Sequence, residues 1–398
     1  MRKLLRKILK KSSLGYKNLI KSILEIFDKN RTDEPPYEYN FLYSLKKSEY
    51  QKYLKKIYKY KTGENLNLKH PKTFNEKIQW FKLNGVTPLI RDCTDKVKVR
   101  DYVLEKIGEE YLKPVLQIIP NESKETMRCH YEQVNDNSGL ARQSTDRCNQ
   151  ILDCHADIKM SSSARLRFPK FQFRENWVLA EYNDREPNDV SAYFDKIDFD
   201  KLPDSFVIKT NHGCKWQYII KNKEEYLKNK RLFDITRKQM TGWLEQDYSF
   251  WNGFEMNYHG IEPKILIECL MLNNSNKNNE AIQVYCFYGI PKLILRIEEG
   301  TNNKTTLYNE KLNIIDDVLS TGDEKVNKPP DKLINQSFDL SKKLCKDFNF
   351  VRVDWMVFKN SLYFEELTFT PYSGYCNFTN QINKKFSHFI NRKAANGF

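Results

Sequence analysis

Across its 398 residues the chain has no run of the ~20 apolar residues that a helix needs to cross a bilayer. An integral membrane protein built from helices is therefore not expected. The start, Met1-Arg-Lys-Leu-Leu-Arg-Lys-Ile-Leu-Lys-Lys11, has its apolar stretch broken by charges and lacks the h-region of an export signal. The nine cysteines are odd in number and include no Cys-x-x-Cys pair, so neither a disulfide framework nor a redox motif is expected. Cys129-His130 and Cys154-His155 flank Cys148 at a spacing that matches no common zinc site. Reduced thiols and a cytoplasmic location fit these absences. No internal repeat and no nucleic-acid-binding module is evident, and the basic charge is dispersed, so nucleic acid is not an expected partner.

A net charge of +14 favours an anionic partner without choosing one. With 40% apolar and 30% charged residues, the chain can bury a substantial core in two or three domains. Leu4, Leu5, Ile8 and Leu9 could form one stripe of a helix with Lys and Arg opposite. That pattern suits either a peripheral contact on the inner face of a membrane or an ordinary solvated helix.

Helical patterns occupy 1–30, 38–60, 73–84 and 94–107, the last opened by Thr94 and closed by Gly108. Pro114–Ile119 is strand-like. Residues 120–188 lose hydrophobic periodicity and read as a poorly ordered insertion. Strands follow at 205–209, 218–221, 264–271, 282–287 and 291–296, with helices at 223–230, 234–246 and 331–347. Helices first, then β-hairpins with interspersed helices, predict an α+β enzyme.

The chemistry is densest near the C-terminus. Val351–Phe358 and Leu362–Phe369 flank the turn-forming Lys359-Asn360-Ser361 and predict a hairpin. The turn brings Asp354 and Glu366 to one side of the paired strands. Two carboxylates suit Mg²⁺, a hard cation that takes oxygen ligands and keeps nucleotide phosphates in its remaining positions. Arg352 shares a face with Asp354 and aims a cation at the same place. Glu365 is expected to point the other way into solvent. Three further elements line up with a nucleotide site: Asp95-Lys96 before a predicted helix, Phe206-Val-Ile-Lys209 with the turn through Gly213, and Ile265-Leu-Ile-Glu268-Cys269-Leu270. His212 is either a general base or a turn histidine bonded to backbone.

This order resembles the ATP-grasp superfamily. Asn67–Leu83, Gly108-Glu-Glu-Tyr-Leu112, Phe199-Asp-Lys-Leu-Pro203, Lys209-Thr-Asn-His-Gly213 and Glu366-Leu-Thr-Phe-Thr-Pro371 resemble the TupA-like branch. That branch is associated with bacterial surface-polysaccharide and teichuronopeptide biosynthesis and is often catalogued among glycosyltransferases. The resemblance implies two α+β subdomains clasping a nucleotide. The resemblance covers roughly residues 40–118 and 195–380. With the composition, it divides the chain into a basic amphipathic N-terminal segment 1–36, a helical part of the module over 37–119, a poorly ordered insertion over 120–194, the nucleotide-binding and catalytic core over 195–380 and a tail over 381–398. It implies ATP and Mg²⁺ as cofactors. Lys96, Lys209 and Gly213 would contact phosphates, and Glu268, Cys269 and Leu270 would meet the adenine edge. Asp354, Glu366 and Thr368 would hold the metal, and Arg352 with Lys209 would stabilise the transferring phosphoryl group.

The implied reaction is carboxylate–amine ligation through an acyl phosphate, on a carboxylate-bearing acceptor such as an acidic surface glycan. Two departures stand out. Gly213-Cys214-Lys215 replaces the relatives' Gly-Ser-Gly, and Glu298-Glu299 stands where they often carry Asp and Arg. A sugar-nucleotide glycosyltransferase using Asp198-Phe-Asp200, or a degenerate nucleotide-binding protein, are the rival readings.

Overall fold

The computed structural model describes residues 39–120, 190–271, 280–298, 303–319 and 323–391. The basic segment 1–36 and most of the expected insertion lie outside them. Helices α1 (Tyr39–Ser44), α2 (Tyr50–Thr62), α3 (Phe74–Asn84), α4 (Pro88–Thr94) and α5 (Val99–Ile107) come first. A capping box opens α3: the Thr73 side chain accepts from Glu76 N while Glu76 reaches back to the Thr73 amide. The helix expected over 94–107 starts later, at Val99, behind a separate short helix. Pro88 opens α4 behind a Thr87 cap, and Asp95 takes an extended conformation (φ −68°, ψ 118°), so Thr94 ends a helix.

Two antiparallel sheets follow. The smaller runs β1 (Val115–Ile119), β4 (Ile265–Cys269), β2 (Phe206–Thr210), β3 (Gln217–Ile220). Period-2 alternation sends Phe206 and Ile208 of β2 and Ile265 and Ile267 of β4 into one core with Met240 and Leu244. Those two residues belong to α7 (Lys230–Leu244), which follows α6 (Lys223–Lys228). Lys209 and Glu268 take the opposite face.

The larger sheet runs β11 (Ser361–Thr368), β10 (Phe350–Phe358), β5 (Glu280–Phe287), β6 (Ile290–Glu298), β7 (Lys304–Asn309), β8 (Ile314–Ile315), with β9 (Glu324–Lys325) beside β7. Ile282, Val284, Val351, Val353 and Trp355 pack with residues of α5 and α8 (Lys332–Leu344). Full burial of each such side chain stabilises by roughly 1.5–3 kcal/mol. Tyr285, Phe287, Leu293 and Phe350 cover the other face with Phe74 of α3 and Ile382 and Phe386 of α9 (Asn380–Asn391). The stretch expected as a tail from residue 381 therefore carries a helix whose Ile382 and Phe386 are core residues.

Cys93, Cys214, Cys286, Cys345 and Cys376 are free thiols, as the sequence predicts. Cys269 departs from that expectation, being disulfide-bonded. No helix among the described residues is long and apolar enough to cross a membrane.

Candidate functional site

The predicted hairpin forms, closed by Lys359 and Asn360, both at positive φ (48° and 61°), as a tight turn matching the strand twist requires. Asp354 lies opposite Glu366, and Arg352 opposite Thr368. Arg352 forks Asp354, with Nε donating to Oδ1 at 2.6 Å and Nη2 to Oδ2 at 2.5 Å. Thr368 Oγ1 accepts from Arg352 Nη2 at 3.2 Å. It also lies 3.0 Å from Asp354 Oδ2 and 2.7 Å from Glu366 Oε1, and its single proton can serve only one of them at a time. The Arg352 guanidinium sits between the rings of Tyr285 and Tyr372, at 5.9 and 5.6 Å. Burial pushes the Asp354 carboxyl up to about 6, opposed by Arg352 and reinforced by Glu366. Burial also pushes Glu366 up, but Lys96, Arg352, the Thr368 hydroxyl and Lys209 outweigh it and hold Glu366 below the usual carboxylate range.

The register of this hairpin is interrupted. Asp354 pairs with Glu366 but Trp355 pairs with Phe364, so Glu365 is the extra residue of a β-bulge. The bulge turns Glu365 to Lys113, whose Nζ is 2.6 Å from Glu365 Oε2. Glu365 is exposed, as expected, and its pairing with Lys113 is an addition that the sequence did not show.

On the smaller sheet Lys209 Nζ lies 2.6 Å from Glu268 Oε2, with Lys113 Nζ 3.4 Å from the same oxygen. Burial would raise the Glu268 pKa, yet Lys113, Lys209 and Arg100 bring it down to about 2. Burial, helped by Lys113, lowers that of Lys209 despite its partner. Cys269 ends β4 with its amide donating to Pro114 O at 3.2 Å, and Leu270 is buried beside it.

The turn after β2 is tied to the segment carrying Lys96. Asn211 Nδ2 donates to Asp95 Oδ1 at 3.0 Å, the Lys96 amide donates to Asn211 O at 3.1 Å, and Lys96 Nζ donates to Gly213 O. Lys215, at the place of the relatives' second glycine, adopts the left-handed conformation (φ 62°). His212 is buried, with Nδ1 3.1 Å from Asn211 Oδ1 and Nε2 3.1 Å from Trp243 O. Burial takes its pKa down to about 4, and its ring is held by oxygens of its own turn and of the Trp243 backbone, so it is a structural histidine of this turn.

Lys96, Lys209, Gly213, Arg352, Asp354, Glu366 and Thr368 are thus brought into one neighbourhood, with Glu268 paired to Lys209. Asp198 does other work: it caps the 3₁₀ turn Phe199–Lys201 and pairs with Lys201 at 2.8 Å, while its amide donates to Gln117 at 3.1 Å. Lys113 escaped the sequence, since it precedes a strand with no spacing that marks it. Asp95 and Asn211 lie within motifs singled out there, but neither is assigned a role by them.

No group of three His, Cys, Asp or Glu among the described residues could cage a metal. Two carboxylates and a hydroxyl remain, an all-oxygen set that fits Mg²⁺ only where phosphates and water complete the shell.

A family model described as TupA-like ATPgrasp matches residues 183–388. The chain belongs to this family. Its fold is accordingly ATP-grasp, of α+β class with helices at the N-terminal side. Among solved structures, it is similar to D-alanine–D-alanine ligase from Bacillus anthracis complexed with ATP, at 20% identity over 43% of each chain and a TM-score of 0.25. It is also similar to D-alanine–D-alanine ligase from Helicobacter pylori, at 15% identity over 50% of this chain and 51% of that one, with a TM-score of 0.26. The ATP-grasp ligase PsnB complexed with minimal precursor matches at 10% identity over 47% of this chain and 48% of that one, with a TM-score of 0.23. The chain thus spans about half the length of these structures, or less. No curated protein matches it.

Proposed function

We propose that this TupA-like ATP-grasp protein is a Mg-ATP-dependent ligase that joins a carboxylate to an amine. The observation that carries the reading is convergence on Glu366: Arg352 Nη2 of the paired strand lies 3.9 Å from its Oε1, and Lys96 and Lys209 add their charge to hold its carboxyl down. Such a cluster of cations around two acids matches what phosphoryl transfer requires, namely positioning and charge stabilisation.

In this reading Lys96, Lys209 and Gly213 hold the nucleotide phosphates, while Glu268 and the backbone of Cys269 and Leu270 meet the adenine. Asp354, Glu366 and Thr368 would hold Mg²⁺, which, when bound, neutralises charge on the phosphates. An acceptor carboxylate oxygen attacks the γ-phosphorus, the bond to the β-bridging oxygen breaks and ADP leaves. Arg352 stabilises the charge on the equatorial oxygens in that step. An amine then attacks the acyl phosphate, losing a proton as inorganic phosphate departs, and an amide forms.

The acceptor class follows the family resemblance: a uronic-acid unit or amino-acid chain on an acidic surface glycan, drawn to a chain of net charge +14. The basic segment 1–36 offers, on sequence grounds, a contact to anionic lipid on the inner membrane face. The test is ADP release by the full chain with ATP, Mg²⁺, glucuronate and a panel of amino acids, alongside thermal unfolding with Mg-ATP. Stabilisation by Mg-ATP and carboxylate-dependent ADP release are expected. Folded protein that shows neither sinks the reading.

A further inference from the structure

Lys113 touches both halves of the site. Its ammonium is 3.4 Å from Glu268 on the smaller sheet and 2.6 Å from Glu365, the bulged residue of the β10–β11 hairpin on the larger one. The side chains of Lys113 and Glu268 are almost wholly buried, 10% and 6% exposed, whereas Glu365 is 40% exposed. The Lys113 backbone is itself fixed, its carbonyl accepting from Arg100 Nη2 at 2.8 Å. Just before it, the 3₁₀ turn Glu109–Tyr111 packs on β11, and Tyr111 meets the Trp355 ring edge-on at 6.2 Å. Just after it, Pro114 leads into β1, which pairs with β4 so that Val115 lies opposite Glu268.

A buried carboxylate needs a partner at all times. Glu268 now has two, Lys209 and Lys113. If Lys209 turns toward phosphate, as the ligase reading requires, Lys113 is the cation among the described residues that keeps Glu268 paired within 4 Å. The same ammonium holds Glu365, the residue immediately before Glu366.

We propose that Lys113 is a positioning residue that couples the adenine side of the nucleotide site, through Glu268, to the metal side, through the Glu365 bulge. The proposal rests on the nucleotide site assigned above. Its consequence is thermodynamic: Mg²⁺ strengthens ATP binding partly because the Glu268 end of β4 and the β10–β11 hairpin are held in one register, so cutting the link lowers that enhancement.

Calorimetric titration of the full chain with ATP, in Mg²⁺ and in EDTA, gives the enhancement directly. Wild-type protein is expected to bind more tightly with Mg²⁺. In Lys113→Met the enhancement should fall on the order of tenfold. Lys113→Arg should retain most of it, Glu365→Gln should reproduce the loss, and the double variant should lose no more than either single one. A purely structural role would weaken binding equally with and without Mg²⁺. An unchanged enhancement in cooperatively folding Lys113→Met overturns the proposal. Should that variant not fold, an unchanged enhancement in Glu365→Gln, which keeps Lys113 and Glu268 paired, overturns it equally. Failure of wild-type protein to bind Mg-ATP would instead overturn the nucleotide reading beneath it.

Discussion

Arg352 and Asp354 form a two-pronged pair: both oxygens of the carboxylate accept from one guanidinium, at 2.6 and 2.5 Å. A residue expected to bind metal and a residue expected to bind phosphate are, without ligands, partners. Arg352→Gln should therefore impair two things. ADP release is expected to fall by about 10²–10³-fold, the range for losing one preorganised donor. Asp354, left buried without its cation, should shift its carboxyl upward from about 6, so that Mg-ATP binding in the variant requires higher pH than in wild type. Equal Mg-ATP affinity in both proteins from pH 5.5 to 8 would contradict this.

Glu268 has its carboxyl held down to about 2, against an ordinary value near 4.5. A depressed carboxylate stabilises the fold above its unfolded pKa and loses that contribution as pH falls toward the folded one. Glu268→Gln strands Lys209 as a buried cation and leaves Lys113 to Glu365, at an expected cost of about 3–5 kcal/mol near neutral pH. The gap to wild type should narrow from pH 4.5 toward 2. Urea unfolding across that range checks the prediction.

Lys82 gives a slope of the same sign in a higher pH window. It is fully buried, donates to Ser373 Oγ at 2.6 Å and Asn252 O at 3.2 Å, and lies 4.9 Å from the centre of the Tyr375 ring. Burial lowers its pKa to about 7, with Glu255 pulling the other way. Between about 7 and 10.5 the unfolded chain binds the extra proton, so wild type should gain stability with rising pH in that window. Lys82→Met should lack that rise. Parallel slopes in the two proteins would refute it.

Gly213 has no room for a side chain. A Cβ there would come 2.3 Å from Trp216 Cε3 and 2.5 Å from its Cδ2. Trp216 cannot retreat, being stacked on Trp243 at 5.8 Å and edge-on to Tyr248 at 5.0 Å. Gly213→Ala should weaken Mg-ATP binding at least tenfold through displacement of the Lys96 anchor, about the effect of 1.4 kcal/mol. Lys215→Gly, which relieves a left-handed lysine, should leave stability within about 1 kcal/mol of wild type. Titration calorimetry and thermal unfolding separate the two outcomes.

The hairpin was legible because alternation and turn residues act over short range, and Asp354, Glu366 and Arg352 fell on one face as period 2 demands. The strand around Lys209 and the one ending at Glu268 were legible for the same reason. β7 through β9 were missed, since Lys304–Asn309 is polar in pattern and becomes a strand only by pairing with β6. Thr94 and Asp95 misled because a good N-cap residue also serves in a turn between helices. Lys113 could not be found at all. Its meaning depends on a one-residue bulge about 250 positions away, and register slips of that kind leave no local mark.

That bulge has a bearing on how the protein coexists with copies of itself. Among the described residues β11 has β10 as its sole strand neighbour, so its outer rim presents unpaired backbone groups. A flat rim of that kind templates sheet-to-sheet association. The extra residue at Glu365 bends the strand, and the Glu109–Tyr111 turn packs against it. A substitution that restored regular pairing, such as deletion of Glu365, would both disconnect Lys113 and straighten the rim. Such a variant should aggregate during expression.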